Sequence, residues 1–511
     1  MNPMRSDTLT GRLRSLGPAR LAGMRRGIEK ESLRVDTEGA LALTPHPAAL
    51  GSALTHPCIT TDFSESQLEL ITGAHASAED CERELQQIHR FVAQSLTDER
   101  LWVASMPCRL PPDQTIPIGR YGSSNIGRAK SIYRMGLGLR YGRRMQTICG
   151  IHYNWSLPGL DNDAYFGLIR NFRRHSFVLL RLFGASPAVC GCFVEGRRHP
   201  LQPIGAGTYG LPWATSLRMG QLGYQSDAQA ALNVSYNSLS SYAASLHGAL
   251  TTPHPPYEAL GVRNLGGEYH QLATSLLQIE NEFYGTIRPK RTIRSGERPL
   301  HALRERGVEY VEVRCMDLDP FEPAGIAIPT MLFLDIFLLH CLLSDSPPDT
   351  PEESVALARN QHQVASHGRQ DGLMLECGTD RVAVEEWGAR VLDECLVLAE
   401  ALDREMRTPG RHQRPVEAAL QRWRDPASLP SARLLSAMAS DFGGSFKSLA
   451  LALSEQADSQ WRGRPLEPEV FSRLTVAAEV SLREQQRREA ADTMPFEAYR
   501  EHYLAPERLL P

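Results

Sequence analysis

In Gly27-Ile28-Glu29-Lys30-Glu31-Ser32-Leu33-Arg34-Val35 two carboxylates stand two residues apart, and in an extended chain that spacing puts both on one face, about 7 Å apart. There they repel by roughly 2 kcal/mol at an effective dielectric near 20, and burial worsens the repulsion unless a cation intervenes. Read alone, the pair is first of all an exposed acidic couple on a solvated face. The segment Gln146 to Leu157 divides more sharply. As a strand it puts Cys149, Ile151, Tyr153, Trp155 and Leu157 on one face and Gln146, Ile148, His152, Asn154 and Ser156 on the other. A single strand histidine is more often structural than a ligand until partners for it are found.

Val308 to Met316 turns Val311, Val313 and Cys315 inward and Tyr310, Glu312 and Arg314 the other way. Acid and base there form either a cross-strand ion pair, worth under about 1 kcal/mol if exposed, or a metal ligand beside a phosphate-neutralising arginine. Thr60 to Thr72 fits helix or strand. As a strand it sets Glu65, Gln67 and Glu69 on one side with Asp62 near the entrance; as a helix it still pairs Glu65 with Glu69. Several segments far apart in sequence thus offer carboxylates or histidine on a non-core face, and such hard oxygen ligands suit Mg²⁺ or Mn²⁺ rather than zinc. Arg288, Lys290 and Arg291, around Pro289, form either a solvated basic loop or a triphosphate contact.

Other patterns carry less. Gly205 to Gly210 matches G-x-G-x-x-G, but no apolar strand precedes it and Pro212 sits where a phosphate-binding helix would begin. Gly122 to Ser131 lacks the Gly-Lys-Ser/Thr core of a P-loop and remains a cationic loop able to touch substrate or phosphate. Cys190 and Cys192 lack a second pair at zinc spacing and read as buried or incidental thiols.

The elements that must position these residues belong to a long soluble chain. At 511 residues it exceeds the roughly 250 to 300 at which one core stops growing, which predicts a catalytic body with an appended part. A net charge of −4 leaves no electrostatic footprint for nucleic acid. The cysteines, scattered from Cys58 to Cys395, form no disulfide framework and point to the reducing cytoplasm. Met1 to Arg20 is cationic without an apolar run and reads as a surface helix. Met331 to Leu343, interrupted by Asp335 and His340, is too short to cross a membrane and reads as a buried helix.

Residues 24–320 hold short alternating segments punctuated by Gly and Pro, as in an α+β body. Helices are expected thereafter at Pro329 to Leu343, Glu352 to His367, Val382 to Arg407, Pro415 to Arg424, Ser431 to Ser440 and Glu469 to Ala491. The Pro-rich Ser344 to Pro351 reads as the hinge. The expected division is a catalytic body with the active-site sheet over 1–343 and a mainly helical part over 344–511, packed on that body.

Several of these stretches, in order, resemble the monofunctional bacterial class of glutamate cysteine ligase: Arg26 to Glu31, Leu50 to His56, Thr60 to Phe63, Tyr121 to Asn125, Gln146 to Ser156, Phe183 to Ala188, Ala214 to Arg218, Ile279 through Arg291, and Glu309 to Arg314. The resemblance spans about residues 20 to 340 and is looser in the helical half, where Ala490 to Thr493 also fits. It implies a glutamine-synthetase-like α+β fold with an antiparallel sheet forming a funnel and Mg²⁺ (or Mn²⁺) between its strands. It further implies ATP-dependent ligation of L-glutamate to L-cysteine, giving γ-glutamylcysteine, by a cytoplasmic monomer that binds neither nucleic acid nor membrane.

By that resemblance Glu29, Glu31, Asp62, Glu69, His152 and Glu312 are the metal ligands. Arg314 faces the transferring phosphoryl group, with Glu312 and Glu29 beside it in the catalytic set. Phe63, Tyr133, Arg134, Leu137, Gln146, Arg218, Tyr224 and Tyr284 line the amino-acid pockets. The chemistry agrees: a carboxylate is a poor acylating agent, and phosphorylation by ATP activates it, a step that asks a protein for positioning and charge neutralisation. The alternatives are a related ligase that uses glutamate and another amine, or a catalytically silent ligand-binding relative. A chain of this length leaves no room for a second ATP-using domain.

Overall fold

A computed structural model describes residues 3–223, 227–230, 232–294 and 296–510. Seven strands form its main sheet: β1 (Arg25–Val35), β2 (Ile59–Thr61), β3 (Gln67–Ile71), β4 (Arg100–Leu101), β5 (Ile151–Ser156) and, after the separate three-stranded sheet of β6 (Ala188–Cys190), β7 (Gln202–Gly205) and β8 (Thr208–Gly210), β9 (Ile287–Lys290) and β10 (Tyr310–Met316). The order is β2-β3-β1-β5-β10-β9, with β4 also paired to β1, and every pairing is antiparallel. The register sets Glu31 opposite Glu69, Glu29 opposite His152, and Glu312 opposite both Asn154 and Arg288. Because side chains alternate across a strand, all of these share one face.

The other face is the core side. Ile28, Tyr153, Trp155, Val311 and Val313 are fully buried there. Behind them runs the helix Ile328–Leu343, in which every residue from Met331 to Cys341 is buried, as an all-round apolar helix requires. Its Asp335 accepts from Arg26 Nε of β1 at 3.0 Å and from Tyr153 Oη of β5 at 2.8 Å. Removing one partner of such a buried pair costs about 3–5 kcal/mol, so these contacts fix the helix against the two central strands.

The α+β class and the helical C-terminal half agree with the sequence. All six expected helices form, within three residues of their anticipated ends. Val384–Met406 starts late because Asp380–Ala383 (β12) is taken up in a hairpin with Met374–Cys377 (β11). In that half two further helices were not anticipated, Phe446–Arg462 and Phe496–Leu504; the first follows Gly443-Gly444, which reads as a loop, and is started by Ser445 accepting from Ser448 N.

The body holds more helix than its alternating pattern suggests, including Ala78–Ser95, Asn125–Tyr141 and Asn162–His175. The N-terminal helix Pro3–Leu16 is not merely superficial, since Leu9 and Leu13 enter the core. Thr60 to Thr72 is neither one strand nor a helix but the β2–β3 hairpin, and the strand expected from Gln146 begins only at Ile151, after the 3₁₀ turn Met145–Thr147. No helix among the described residues is long and apolar enough to cross a membrane.

Candidate active site

The polar face of the sheet gathers its acids around His152. Nδ1 of His152 donates to Glu29 Oε2 at 3.2 Å, and Asn154 Nδ2 donates to the other Glu29 oxygen at 2.9 Å. Ligand atoms of Glu29, His152 and Glu312 all lie within 4.8 Å of one another. At the β10 side Glu312 is already matched, by Lys290 Nζ at 3.1 Å and Arg314 Nη1 at 3.0 Å. Burial opposes ionisation of Glu312, but Lys290 and then Arg314 outweigh it and hold the carboxyl well below its ordinary range. For Glu29 too burial is the largest influence, and the hydrogen bond from His152 reverses it.

The β1–β3 side lacks such a match. Burial, followed by the charge of Asp62, pushes the Glu31 carboxyl up to about 8. Burial and then Glu29, Asp62 and Glu31 raise Glu69 as well. Burial and Arg314 depress His152, keeping the imidazole neutral. With Nδ1–H directed at Glu29, Nε2 carries a bare lone pair. It faces Glu31 Oε1 at 3.7 Å, and both atoms are buried without a hydrogen-bond partner. With Glu31 ionised, two acceptors point at each other in a buried space, an unfavourable arrangement that a proton on Glu31 or a cation between them relieves. The donor set, carboxylates with one imidazole, is that of a hard divalent ion.

The remaining expected residues divide. Glu31 Oε2 accepts from Gly150 N at 2.7 Å. A Cβ at Gly150 would overlap the Arg218 guanidinium, so only glycine lets this backbone approach. Arg218 donates to the Arg314 carbonyl at 2.9 Å and lies 3.8 Å from buried Asp317. Asp317 itself accepts from Ser186 and Ser216. Gln146 reaches the Tyr284 hydroxyl at 2.7 Å from its 3₁₀ turn.

Tyr133, Leu137 and Phe63 are buried apolar neighbours of the Asn125–Tyr141 helix region. Arg134 donates to the Asp62 carbonyl and stacks 4.5 Å over Tyr121, holding the turn that presents Asp62. Glu65 faces away, accepting from His46 N and Arg120 N. Lys290 joins the acids, whereas Arg288, on the same face, gives its Nη2 to the Asn281 and Phe283 carbonyls. Arg291 lies on the opposite face, bound to the Arg306 and Gly307 carbonyls. Tyr224 falls outside the described residues. Asn154, Gly150 and Asp317 were not singled out as site residues. Asn154 had a signal, its place on the polar face with His152; the other two act through a close approach and a network that no local pattern encodes.

The glutamate–cysteine ligase family profile matches residues 14–364. The glutamate–cysteine ligase of Saccharophagus degradans is 51% identical over 436 residues, covering 81% of this chain and 82% of its own. The chain belongs to the glutamate–cysteine ligase family. Among other glutamate–cysteine ligases, that of Janthinobacterium sp. is 46% identical over 94% of each chain. The crystal structure of glutamate–cysteine ligase from Francisella tularensis in complex with AMP superposes with a TM-score of 0.90 at 35% identity, over 94% of this chain and 97% of that one. A bifunctional glutathione synthetase from Pasteurella multocida matches at TM-score 0.69 and 28% identity, covering 93% of this chain but 58% of that longer one. This glutamate–cysteine ligase family member thus corresponds to the whole of the one structure and to part of the other.

Proposed function

We propose that the chain joins the γ-carboxyl of L-glutamate to the amine of L-cysteine at the expense of ATP, giving γ-glutamylcysteine, ADP and phosphate, the first step of glutathione synthesis. A glutamate γ-carboxylate oxygen attacks the γ-phosphorus, the bond to the bridging oxygen breaks, and ADP leaves. The cysteine ammonium then gives a proton to a carboxylate of the site, the freed amine attacks the acyl carbon, phosphate departs with the C–O electron pair, and the second nitrogen proton passes to the leaving phosphate. Family membership supports the reaction. The observation that carries the site is the facing pair of partnerless acceptors, Glu31 Oε1 and His152 Nε2, within a ring of acids on one sheet face.

Glu29, Glu31, Asp62, Glu69, His152 and Glu312 would hold Mg²⁺, whose charge, when bound, offsets that of the nucleotide triphosphate. Arg314, oriented by Glu312 and by its neighbour His152, supplies fixed positive charge to the transferring phosphoryl group, and Lys290 adds a second cation beside it. Phe63, Tyr133 and Leu137 offer apolar walls, while Gln146, Tyr284 and Arg218 offer directed donors for the amino-acid substrates, and Arg134 positions the Asp62 turn. Scattered free thiols support a reducing, cytoplasmic setting, and the monomeric state is the one the family resemblance implies. The deciding experiment is mass spectrometry of the product from glutamate, cysteine and Mg-ATP, with ADP release measured alongside. Turnover should require both amino acids; faster turnover with another amine, or none at all, would overturn the reading.

A further inference from the structure

Behind the sheet, on the face away from the acids, three metal-ligating side chains meet between helices. His175 ends the helix Asn162–His175, and His340 and Cys341 lie on Ile328–Leu343. A ring nitrogen of each histidine and the Cys341 sulfur lie within 4.8 Å of one another. His340 and Cys341 are fully buried. The two imidazole centroids are 5.4 Å apart, and Trp387 of the Val384–Met406 helix stands edge-on to His175 at 6.3 Å.

The hydrogen bonding of His340 is one-sided. Its Nε2 meets Glu394 Oε2 at 2.7 Å. A carboxylate only accepts, so Nε2 is the nitrogen that donates and Nδ1 is the one left over. That Nδ1 is buried with no partner, in the stretch Ile336 to Leu343, where Cys341 is the one other residue besides Leu, Ile and Phe. A histidine held by a carboxylate through one nitrogen is oriented to bind a metal through the other.

We infer that His175, His340 and Cys341 form a site for one borderline-soft divalent ion of the zinc class, distinct in donor chemistry from the hard-cation site on the sheet. Two imidazoles and a thiolate suit zinc and not Mg²⁺. The half-buried His175 marks the entry side. Burial, with Cys395 adding to it, holds the Cys341 thiol well above its ordinary range, so binding exchanges the thiol proton for the ion: an S–H bond breaks, a metal–sulfur bond forms, and the proton goes to solvent. The ion joins the Asn162–His175 helix to Ile328–Leu343, and through Glu394 to Val384–Met406, tying the body to the helical half.

The test uses the full chain, stripped with a chelator and titrated with Co²⁺ under excess Mg²⁺. One equivalent should give a thiolate-to-cobalt charge-transfer band that is absent from Cys341→Ser and retained in Glu312→Gln. Zn²⁺ should raise the melting temperature of the unmutated chain and of Glu312→Gln but not of Cys341→Ser. Should Cys341→Ser fail to fold by circular dichroism, His175→Gln on the half-buried rim serves instead, with Co²⁺ affinity reduced by at least the roughly 10- to 100-fold that loss of an outer-shell partner causes. A folded unmutated chain without the band, a band that survives in folded Cys341→Ser, or an unchanged Co²⁺ affinity in His175→Gln overturns the site.

Discussion

Glu312 is held ionised by Lys290 and Arg314, so its negative charge is fixed before any ligand arrives. Glu312→Gln should lower kcat on the order of 10²–10³-fold, the scale of losing one preorganised electrostatic group, and should also lower the melting temperature, since Lys290 and Arg314 lose their buried counter-charge. Arg314→Lys should cost a similar factor, because a lysine cannot reproduce the planar fork. Steady-state kinetics with unchanged circular dichroism checks both; full activity in Glu312→Gln would sink the assignment. Glu31 makes a different prediction. Its carboxyl, pushed up to about 8, is protonated at neutral pH until a cation displaces the proton.

Apparent Mg²⁺ affinity should therefore rise about tenfold per pH unit below pH 8 and level off above it. On its own, this raised carboxyl adds stability at low pH that is lost as pH rises through 8. Lys30, lowered to about 7 by burial, works in the opposite sense, its penalty being relieved as pH rises. The quantity to follow is thus the difference in melting temperature with and without Mg²⁺, in which Lys30 cancels. A difference independent of pH between 6 and 9 would exclude the mechanism.

The elements around the site are held by contacts far apart in sequence. The loop before β2 carries His56, whose Nδ1 accepts from both Cys58 N and Ile59 N. That role requires the neutral ring, and burial lowers the His56 pKa to about 4. The sign follows: stability from this group is full above pH 6.5, where the unfolded histidine is also neutral, and is lost as pH falls through 4. Asn offers a similarly placed acceptor without titrating. His56→Asn should lose ~2 kcal/mol less than the unmutated chain between pH 7 and 4.5, read from the shift in urea midpoints at the two pH values.

Towards the C-terminal end of the chain, Asp492 accepts from Asn125 N and from Asn125 Nδ2 at 3.1 Å. It thereby caps, from beyond the helix Pro468–Ala491, the helix that carries Tyr133, Arg134 and Leu137. Asp492→Ala should destabilise by about 1–2 kcal/mol and raise the KM for an amino-acid substrate more than it lowers kcat.

Among the described residues most of the buried apolar side chains form one cluster running from Leu9 to Leu509. His89 stacks on Trp461 at 5.3 Å, Phe91 meets Phe471 at 5.7 Å, and Phe177 lies 4.8 Å from Trp387, each joining the body to the helical half. We propose that residues 344–511 act as a packed-on part of the body rather than as a domain able to stand alone. The full chain should then unfold in a single calorimetric transition, and a fragment ending at residue 343 should bind a hydrophobic dye or precipitate. Two separated transitions would contradict this.

The sequence by itself determined the chemistry of the sheet face and the class of the fold. Period-two spacing places Glu29 with Glu31 and Glu312 with Arg314 whatever the neighbouring strands are, and a residue's face on a strand is a local property of the backbone. The helical half was legible for the same reason, through its 3.6-residue period. Register between strands is not local. Only the tertiary structure decided that Glu29 stands opposite His152 and Glu31 opposite Glu69, that Lys290 turns inward while Arg291 turns out, and that two partnerless acceptors face each other. Charge deficit, close approach at Gly150 and the pairing of His340 with Glu394 arise from distances between segments tens to hundreds of residues apart, and no pattern within a segment encodes those distances.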